Sequence, residues 1–551
     1  MEEILLKLKG LLDGGVLADK ATRRAYSHDA SIFELEPDAV ITPKHSRDVQ
    51  RIVKFVNEHK PAYPTLAITP RGAGTDMTGA AIGTSLVLDM TKHMDDIRKV
   101  SPESVHIQPG TYVRDIKPSL DKQSLMLGST PASGNFCTVG GMVGNNSGGE
   151  QSLRYGNTEH WVRQLNVVLA DGKEYVVRPL KKRELSAKMK EDTFEGRLYK
   201  ELYELIEENY DLIKNARPKL NKHSMGYNLW SVWDRDTGIF DMTRLFTGSQ
   251  GTLGVITDIH IEPVKKATYS GLILAYVKNI KQLDTLIPDV MKHKPATFEG
   301  FDDVTFNLGV RYFNTFRKQL GAKEFLKQQT ALLGSLAKLK GSVPNVVLLI
   351  GFDGDDSEEV LDKIDRFQKD MKKRYPRVLT EIEGAGHSSP FWHIRRSSFN
   401  LLRQKTKDKY AAPFMDDLTV QTRYIPVFLP QVRKIIKKYK IPATLSGHFG
   451  DGNFHILPLM DVTSNVERRK FEPAMRELAA LVIKYKGTLA GEHNDGLIRG
   501  PWLPAMFGQE VYQIFREVKF IFDPQNIFNP HQKTEASWHY SMDHIRRTNK
   551  A

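Results

Sequence analysis

Cysteine is almost absent from this chain. Among 551 residues there is one, Cys137. A single thiol excludes structural disulfides within the chain, and with them any cysteine-ligated iron–sulfur cluster or Cys-type zinc site. A reducing compartment is compatible with this. Long apolar runs are missing too: no stretch of about 18 apolar residues occurs, so no transmembrane helix is predicted. The N-terminus, MEEILLKLKGLLDGGVL, lacks the basic start and small-residue cleavage site of a secretory signal. Its apolar residues recur at helical spacing, which predicts a short amphipathic helix packed on the body. Acidic residues are outnumbered, giving a net charge of +13. Much of the excess lies in residues 181–190 and 433–440, KKRELSAKMK and RKIIKKYK. Neither run carries the interleaved aromatics of a single-strand platform, so no nucleic-acid partner is expected and solvated helix faces are the simpler reading. The expected location is cytoplasmic, with the basic surface open to peripheral contact at the inner face of a membrane.

What remains is ordinary for a globular protein, with 40% hydrophobic and 26% charged residues. The length exceeds what one core serves, so two or three domains are expected. AVITPKHSRDVQRIVKFVNEHK predicts a strand, then a helix opening near Ser46 with Val49, Ile52, Val53 and Val56 on one face. LNVVLADGKEYVV predicts a hairpin turning at Asp171-Gly172. A polar, largely helical insertion covers roughly residues 180–225. After Pro263 the pattern changes to strands such as GLILAYV and VVLLIGF alternating with charged helices, an α+β arrangement.

Three glycine-rich segments fall in the first part of the chain. Pro70-Arg71-Gly72-Ala73-Gly74-Thr75 follows a strand, with Asp76, Thr78 and Gly79 just beyond. Glycines let backbone N–H groups turn toward an anion and allow a diphosphate to approach closely. The spacing is not G-x-G-x-x-G, because Met77 interrupts it, and no lysine completes a phosphate-binding P-loop. The second segment runs from Thr138 through Gly140, Gly141, Gly144 and Asn146 to Gly149; the third spans residues 248–257, GSQGTLGVIT. Three such segments in one domain point to a long, bent ligand with a diphosphate in its middle.

A different chemistry is encoded in Ser446-Gly447-His448-Phe449-Gly450-Asp451-Gly452-Asn453-Phe454-His455. Asp-Gly between apolar residues predicts a two-residue hairpin loop. With Asp451 and Gly452 as that loop, 448 pairs with 455, and the two imidazoles become direct cross-strand neighbours able to share one metal ion. Asn453 lies on the same face. Glu492, in Ala-Gly-Glu-His, is available as a third ligand, and two histidines plus a carboxylate with an open position is how a catalytic zinc is held. The alternative is a pair of hydrogen-bonded strand histidines.

Taken in order, PRGAGTDMTGA, VGGMVGNNSGG, LRYGN, GSQGTLGVIT, GHFGDGNFH, GEHNDG and FDPQNIFNP resemble the FAD-linked oxidases of the vanillyl-alcohol-oxidase type. The likeness is strongest to the D-lactate, glycolate and D-2-hydroxyglutarate dehydrogenases and runs from about residue 25 to residue 533. It implies an α+β protein with a PCMH-type, two-subdomain FAD-binding fold over residues 1–265. An α+β, ferredoxin-like antiparallel-sheet substrate (cap) domain would follow over residues 266–475, with residues 476–551 returning to complete the active site. Residues 70–79 would wrap the FAD diphosphate. Gly140, Gly141, Asn146 and Gly149 would line the flavin, with Val255 and Ile256 near the adenine and Asn529 reaching the isoalloxazine. Pro131, Thr138, Gly144 and Gly254 complete the implied cofactor set. No histidine stands between Pro70 and Ala80, where such proteins tether flavin, so non-covalent FAD is expected.

The resemblance assigns a divalent metal, zinc above all, to His448, His455 and Glu492. It places Arg395, in Trp392-His393-Ile394-Arg395, on the substrate carboxylate, which a guanidinium can grip in two places. His493 suits the general base. Tyr227 and Asn228 are further candidates to face the pocket. The implied activity is oxidation of a small D-2-hydroxy acid by hydride transfer to flavin N5. Two alternatives are a flavin enzyme for another alcohol or lactone with structural histidines, and a non-catalytic flavoprotein subunit. Three positions depart from the pattern: Met415 stands where 2-hydroxyglutarate enzymes place a lysine, Asn494 where glycine is usual, and Gln250 where glutamate is usual. With no cysteines for clusters, electrons are expected to pass to a separate acceptor: a quinone, an electron-transfer protein or an iron–sulfur subunit.

Overall fold

A computed structural model describes residues 1–383, 389–398, 401–402 and 409–547. Three sheets organise it. The first has four strands in the order Gly15–Leu17, Ala39–Thr42, Leu86–Asp89, Ile68–Arg71, the last three mutually parallel. The helix Ser46–His59 covers it, capped by the His45 side chain accepting from Asp48 N. Its Val49, Ile52, Val53 and Val56 bury against Ala39, Ile41, Ile68 and Leu88, as their 3.6-residue period requires. The N-terminal helix Glu2–Leu11 inserts Ile4 and Leu8 into the same core.

The second sheet is antiparallel, in the order Ile97–Val100, Val105–Ile107, Val255–Ile261, Val162–Val168, Glu174–Val177. The last two strands are the hairpin that turns through Asp171 and Gly172, where Gly172 has φ +75°. The insertion after it is helical: Lys182–Lys188, Phe194–Glu208 and Tyr210–Ala216.

The third sheet has eight described strands, all antiparallel neighbours. Tyr269–Val277, Thr297–Asp302, Val346–Gly354 and Leu379–Glu383 are ordered fourth, first, third, second, with helices Leu283–Lys292 and Ser357–Arg374 in the crossovers. That is the split βαβ arrangement. Both faces are buried, so the strand Tyr269–Val277 is apolar on both. Ile273, Ala275 and Val277 meet Leu286, Ile287 and Phe367 on one side; Leu272, Leu274 and Tyr276 meet Phe306, Phe391 and Trp392 on the other. The hairpin Ala443–His448 and Asn453–Met460 extends this sheet beside Thr297–Asp302.

The C-terminal segment crosses back. The helix Gln509–Phe522 buries Val511, Ile514, Phe515 and Val518 in the core of the second sheet. Ile68 N then donates to Ile527 O (2.7 Å) and Asn529 N to Ile68 O (2.8 Å), docking the tail on the parallel sheet. Among the described residues no helix is long and apolar enough to cross a membrane.

Candidate active site

The hairpin carrying the histidines forms, with a register that differs from the expected one. His448 pairs with Asn453 and Ser446 with His455, so the loop is the four residues Phe449–Gly452. Tertiary contacts override the local Asp-Gly preference. The Phe449 side chain is fully buried, edge-to-face with Phe454 at 5.2 Å. Gly450 N donates to Phe298 O (3.1 Å), Val420 N donates to Gly452 O (3.0 Å), and Asp451 turns inward. A side chain at Gly452, where φ is +69°, would strike Val420 O. The two-residue shift preserves the face, so His448 and His455 meet diagonally instead of directly, with ring centres 5.2 Å apart and planes at 84°.

Glu492 comes to both imidazoles from the C-terminal segment. Its Oε1 lies 3.4 Å from His448 Nε2 and 3.2 Å from His455 Nε2. All three donor atoms fall within 4.8 Å of one another. The opposite edge of each ring is anchored on a buried carboxylate. Glu299 is directly across the sheet from His448, and its Oε1 accepts from Nδ1 at 2.6 Å. Asp416 Oδ1 accepts from His455 Nδ1 at 3.2 Å, and its Oδ2 lies 3.1 Å from His493 Nδ1. Two ring nitrogens tied back to carboxylates, with the other two aimed at one point, is the arrangement of metal-ligating histidines. The donor set therefore fits a divalent metal of the zinc class.

The loop bearing Glu492 is held by its backbone. Asp417, at φ +67°, accepts from Glu492 N (2.9 Å) and His493 N (2.7 Å) through Oδ2, and from Asn453 Nδ2 (2.9 Å) through Oδ1. Asn453 is thus an inner strut. Lys222, fully buried, donates to Glu492 Oε2 (2.8 Å) and Gly149 O (3.2 Å) and lies 3.9 Å from Asp451. Asn494 adopts φ +66°, a conformation asparagine tolerates in place of glycine. Its Nδ2 donates to Asn145 O and Gly248 O, and its Oδ1 accepts from Lys533 Nζ.

Electrostatics follow from this packing. Burial alone would raise the Glu299 carboxyl; Arg395, in an ion pair at 2.6 Å, and His448 overcome it and hold it at about 2. Burial would likewise raise Glu492, but Lys222 and His448 keep it well below the usual range. Burial would lower His455; Asp416 and Glu492 instead push it up to about 10. His493 is also raised, Asp417 and Asp416 outweighing its burial.

His448, His455, Glu492, His493 and Asp416 line one cleft. Arg395 and Arg396 stand on its wall; Arg396 makes a two-point pair with Glu150 (2.7 and 2.8 Å) and stacks on Trp392. The Arg395 Nε is buried without a partner among the described residues. Residues 70–76 line the same cleft, as do Pro131, Thr138, Gly140, Gly141, Gly144, Gly254 and Ile256. An added Cβ at Gly144 would meet nothing within 4 Å, and at Gly141 only Thr138 Oγ1, so these glycines leave open a cradle that side chains would enter. That cradle fits a bulky planar cofactor such as a flavin.

Six of the expected cofactor residues stand behind this lining. Thr78 bonds Asp76, and Gly79 packs on Phe33 and Leu497. Asn146 ends the helix Val139–Asn145 at φ +53° and donates to Glu159. Gly149 abuts Thr130 O, and Val255 lies in the core of the parallel sheet. Asn529 donates to Ala80 O and Gln250 O and accepts from Thr69 Oγ1, tying strand, first loop and third loop together. Gln250 performs a similar task, donating to Thr78 Oγ1 and Asn145 Oδ1 and accepting from Gly496 N. Tyr227 is a core residue bonded to Thr252, and Asn228 faces a separate polar cavity. Met415 is fully buried in the hydrophobic core.

Glu299, Asp416, Asp417 and Lys222 were not singled out by sequence reasoning as functional. Asp416 and Asp417 carried a visible signal, two acids in an otherwise apolar stretch. Glu299 and Lys222 carried none, since their partners lie 149 and 270 residues away.

Residues 37–178 match the FAD binding domain and residues 267–532 the C-terminal domain of FAD linked oxidases. A D-2-hydroxyglutarate dehydrogenase of Escherichia coli (strain K12) is 26% identical over 96% of this chain and 51% of its own length, so the chain spans about half of that relative. The glycolate oxidase subunit GlcD of Bacillus subtilis (strain 168) is 28% identical over 93% of this chain and 92% of its own. The solved structure of 4-ethylphenol oxidase from Gulosibacter chungangensis aligns with a TM-score of 0.67 at 12% identity, over 98% of both chains, which shows a PCMH-type fold. With both of that family's domains present and its fold shared throughout, the chain belongs to the FAD-linked oxidases.

Proposed function

We propose that this protein is an FAD-dependent dehydrogenase that converts a small D-2-hydroxy acid to the 2-oxo acid. One observation carries the reading: His448, His455 and Glu492 converge in the cleft that the glycine-rich segments line, each imidazole backed by its own carboxylate. The names of the relatives support the substrate class, since both act on 2-hydroxy acids by name.

When bound, non-covalent FAD supplies the hydride acceptor. A divalent metal held by His448, His455 and Glu492 supplies charge stabilisation for the substrate oxygen. The chain's own groups do the rest. Arg395, fixed on Glu299, offers the substrate carboxylate a buried N–H that has no partner among the described residues. His493 takes the hydroxyl proton at Nε2, while Asp416 beside Nδ1 sets ring orientation and raises basicity. Arg396 and Glu150 neutralise each other at the wall and leave Arg395 as the anion's partner. Residues 1–551 contain one cysteine, the buried Cys137, and so supply no cluster; electrons leave the flavin for an acceptor that these residues do not provide.

Chelation of the flavin-loaded protein tests the metal. Flavin reduction by a D-2-hydroxy acid is expected to fall at least tenfold and to return on adding Zn2+. Undiminished reduction after complete metal removal defeats this mechanism.

A further inference from the structure

A second cluster of metal-ligating side chains lies outside the cleft, on the five-stranded antiparallel sheet. His106 of Val105–Ile107 and His260 of Val255–Ile261 are directly paired across the strands. Their neighbours Val105, Ile107, Ile259 and Ile261 face the core, so period-two alternation turns both imidazoles to the opposite face. The rings stack at 4.0 Å, 20° from parallel. Asp258, two residues before His260 on the same face, is almost fully buried beneath them. Its Oδ1 contacts His106 Nε2 and lies 3.8 Å from His260 Nε2. The three donor atoms fall within 4.8 Å of one another.

The other carboxylate oxygen, Oδ2, is held by Arg98 at 2.8 Å. Arg98 therefore orients Asp258 from outside and leaves Oδ1 for the shared point, which is the role an outer hydrogen-bond partner plays for a ligating carboxylate. Both imidazoles are about one quarter exposed, at 26% and 28%, so an ion can reach the cluster from solvent and keep water on its remaining positions. Two imidazole nitrogens and one carboxylate oxygen select a zinc-class ion over calcium or magnesium, which take oxygen ligands.

We propose that His106, Asp258 and His260 form a second divalent transition-metal site, a clip between two strands of the sheet. The strand Val255–Ile261 that carries Asp258 and His260 also carries Ile256, which lines the cleft. The site is independent of the reading of the cleft.

Zinc stoichiometry of the flavin-loaded full chain tests it, with metal content measured after equilibrium dialysis against Zn2+. The expected result is two equivalents for the parent, one for His106→Gln, one for His260→Gln and one for His448→Gln. Zn2+ is also expected to raise the parent's thermal midpoint by more than that of His106→Gln, with turnover of the two surface variants unchanged. A parent binding one equivalent that only His448→Gln removes overturns the proposal, as do two equivalents that survive both surface substitutions. If one equivalent is lost in His106→Gln and retained in His448→Gln, the clip stands and the metal reading of the cleft fails.

Discussion

Replacing Lys222 by methionine removes a cation from the most enclosed part of the site. Lys222 Nζ holds Glu492 Oε2 at 2.8 Å and lies 3.9 Å from Asp451, both acids being buried. Methionine fills much of the space, so the loss is electrostatic more than steric. Stripping one partner from a buried ion pair costs about 3–5 kcal/mol. Part of that is relieved because Glu492 takes up a proton more readily once the charge that holds its carboxyl down is gone. The metal set then loses its outer anchor, an effect worth roughly 10–100-fold in affinity. The sign with pH is fixed. In the parent, Lys222 and His448 hold the Glu492 carboxyl well below its usual range; in Lys222→Met protons compete for it at higher pH, so zinc is released at a higher pH than in the parent. Isothermal titration with Zn2+ at several pH values, beside chemical denaturation, reads all three effects. Unchanged affinity, unchanged pH of release and unchanged stability in a folded Lys222→Met variant would refute the assigned role of this lysine.

Three further outcomes follow from the same structure. Asp302 is buried and caps the helix Asp303–Arg311, and burial, opposed by bonds from Thr305, lifts its carboxyl to about 6. Its folded value lies above its unfolded value near 3.8, so stability is lost as pH rises through that window, roughly 3 kcal/mol in all. Asp302→Asn keeps the cap and should flatten the stability slope between pH 4 and 6, checked by urea unfolding; an unaltered slope contradicts this. Gly144→Leu keeps the helix Val139–Asn145 but pushes a side chain into the open cradle. Folded protein should be recovered with flavin content reduced at least tenfold, measured in the supernatant after acid precipitation, where non-covalent flavin appears. Arg395→Lys retains charge but loses planar two-point bonding, and should lower kcat/KM by about 10–100-fold, about 1.4–2.7 kcal/mol. The loss should fall mainly on KM, read by steady-state kinetics.

Legibility in the sequence depended on how local each feature was. The helix Ser46–His59 was readable because its apolar period is local, and so was the Asp171-Gly172 hairpin. The histidine hairpin was readable as a hairpin but not in register, because burial of Phe449 and inward rotation of Asp451 are tertiary facts that outweigh a turn propensity. The glycine segments announced a cofactor, yet not which of their residues touch it. Gly79 and Gly149 lack side chains so that protein packs tightly behind the lining, and that requirement leaves the same mark in sequence as contact with a ligand. Glu299 sits in a fully buried strand and means nothing until Thr297–Asp302 is laid beside Ala443–His448. Lys222 lies in a polar insertion and acquires its partner from the far end of the chain.

Anaerobic reduction of the bound flavin by a panel of D- and L-2-hydroxy acids separates D-2-hydroxy-acid oxidation from every other reading of the cleft. A small D-2-hydroxy acid is expected to bleach the flavin absorbance band within the mixing time or shortly after, its L-enantiomer at least a hundredfold more slowly, and His493→Ala to abolish the fast phase. Bleaching by L-acids alone, or by no 2-hydroxy acid, would contradict it.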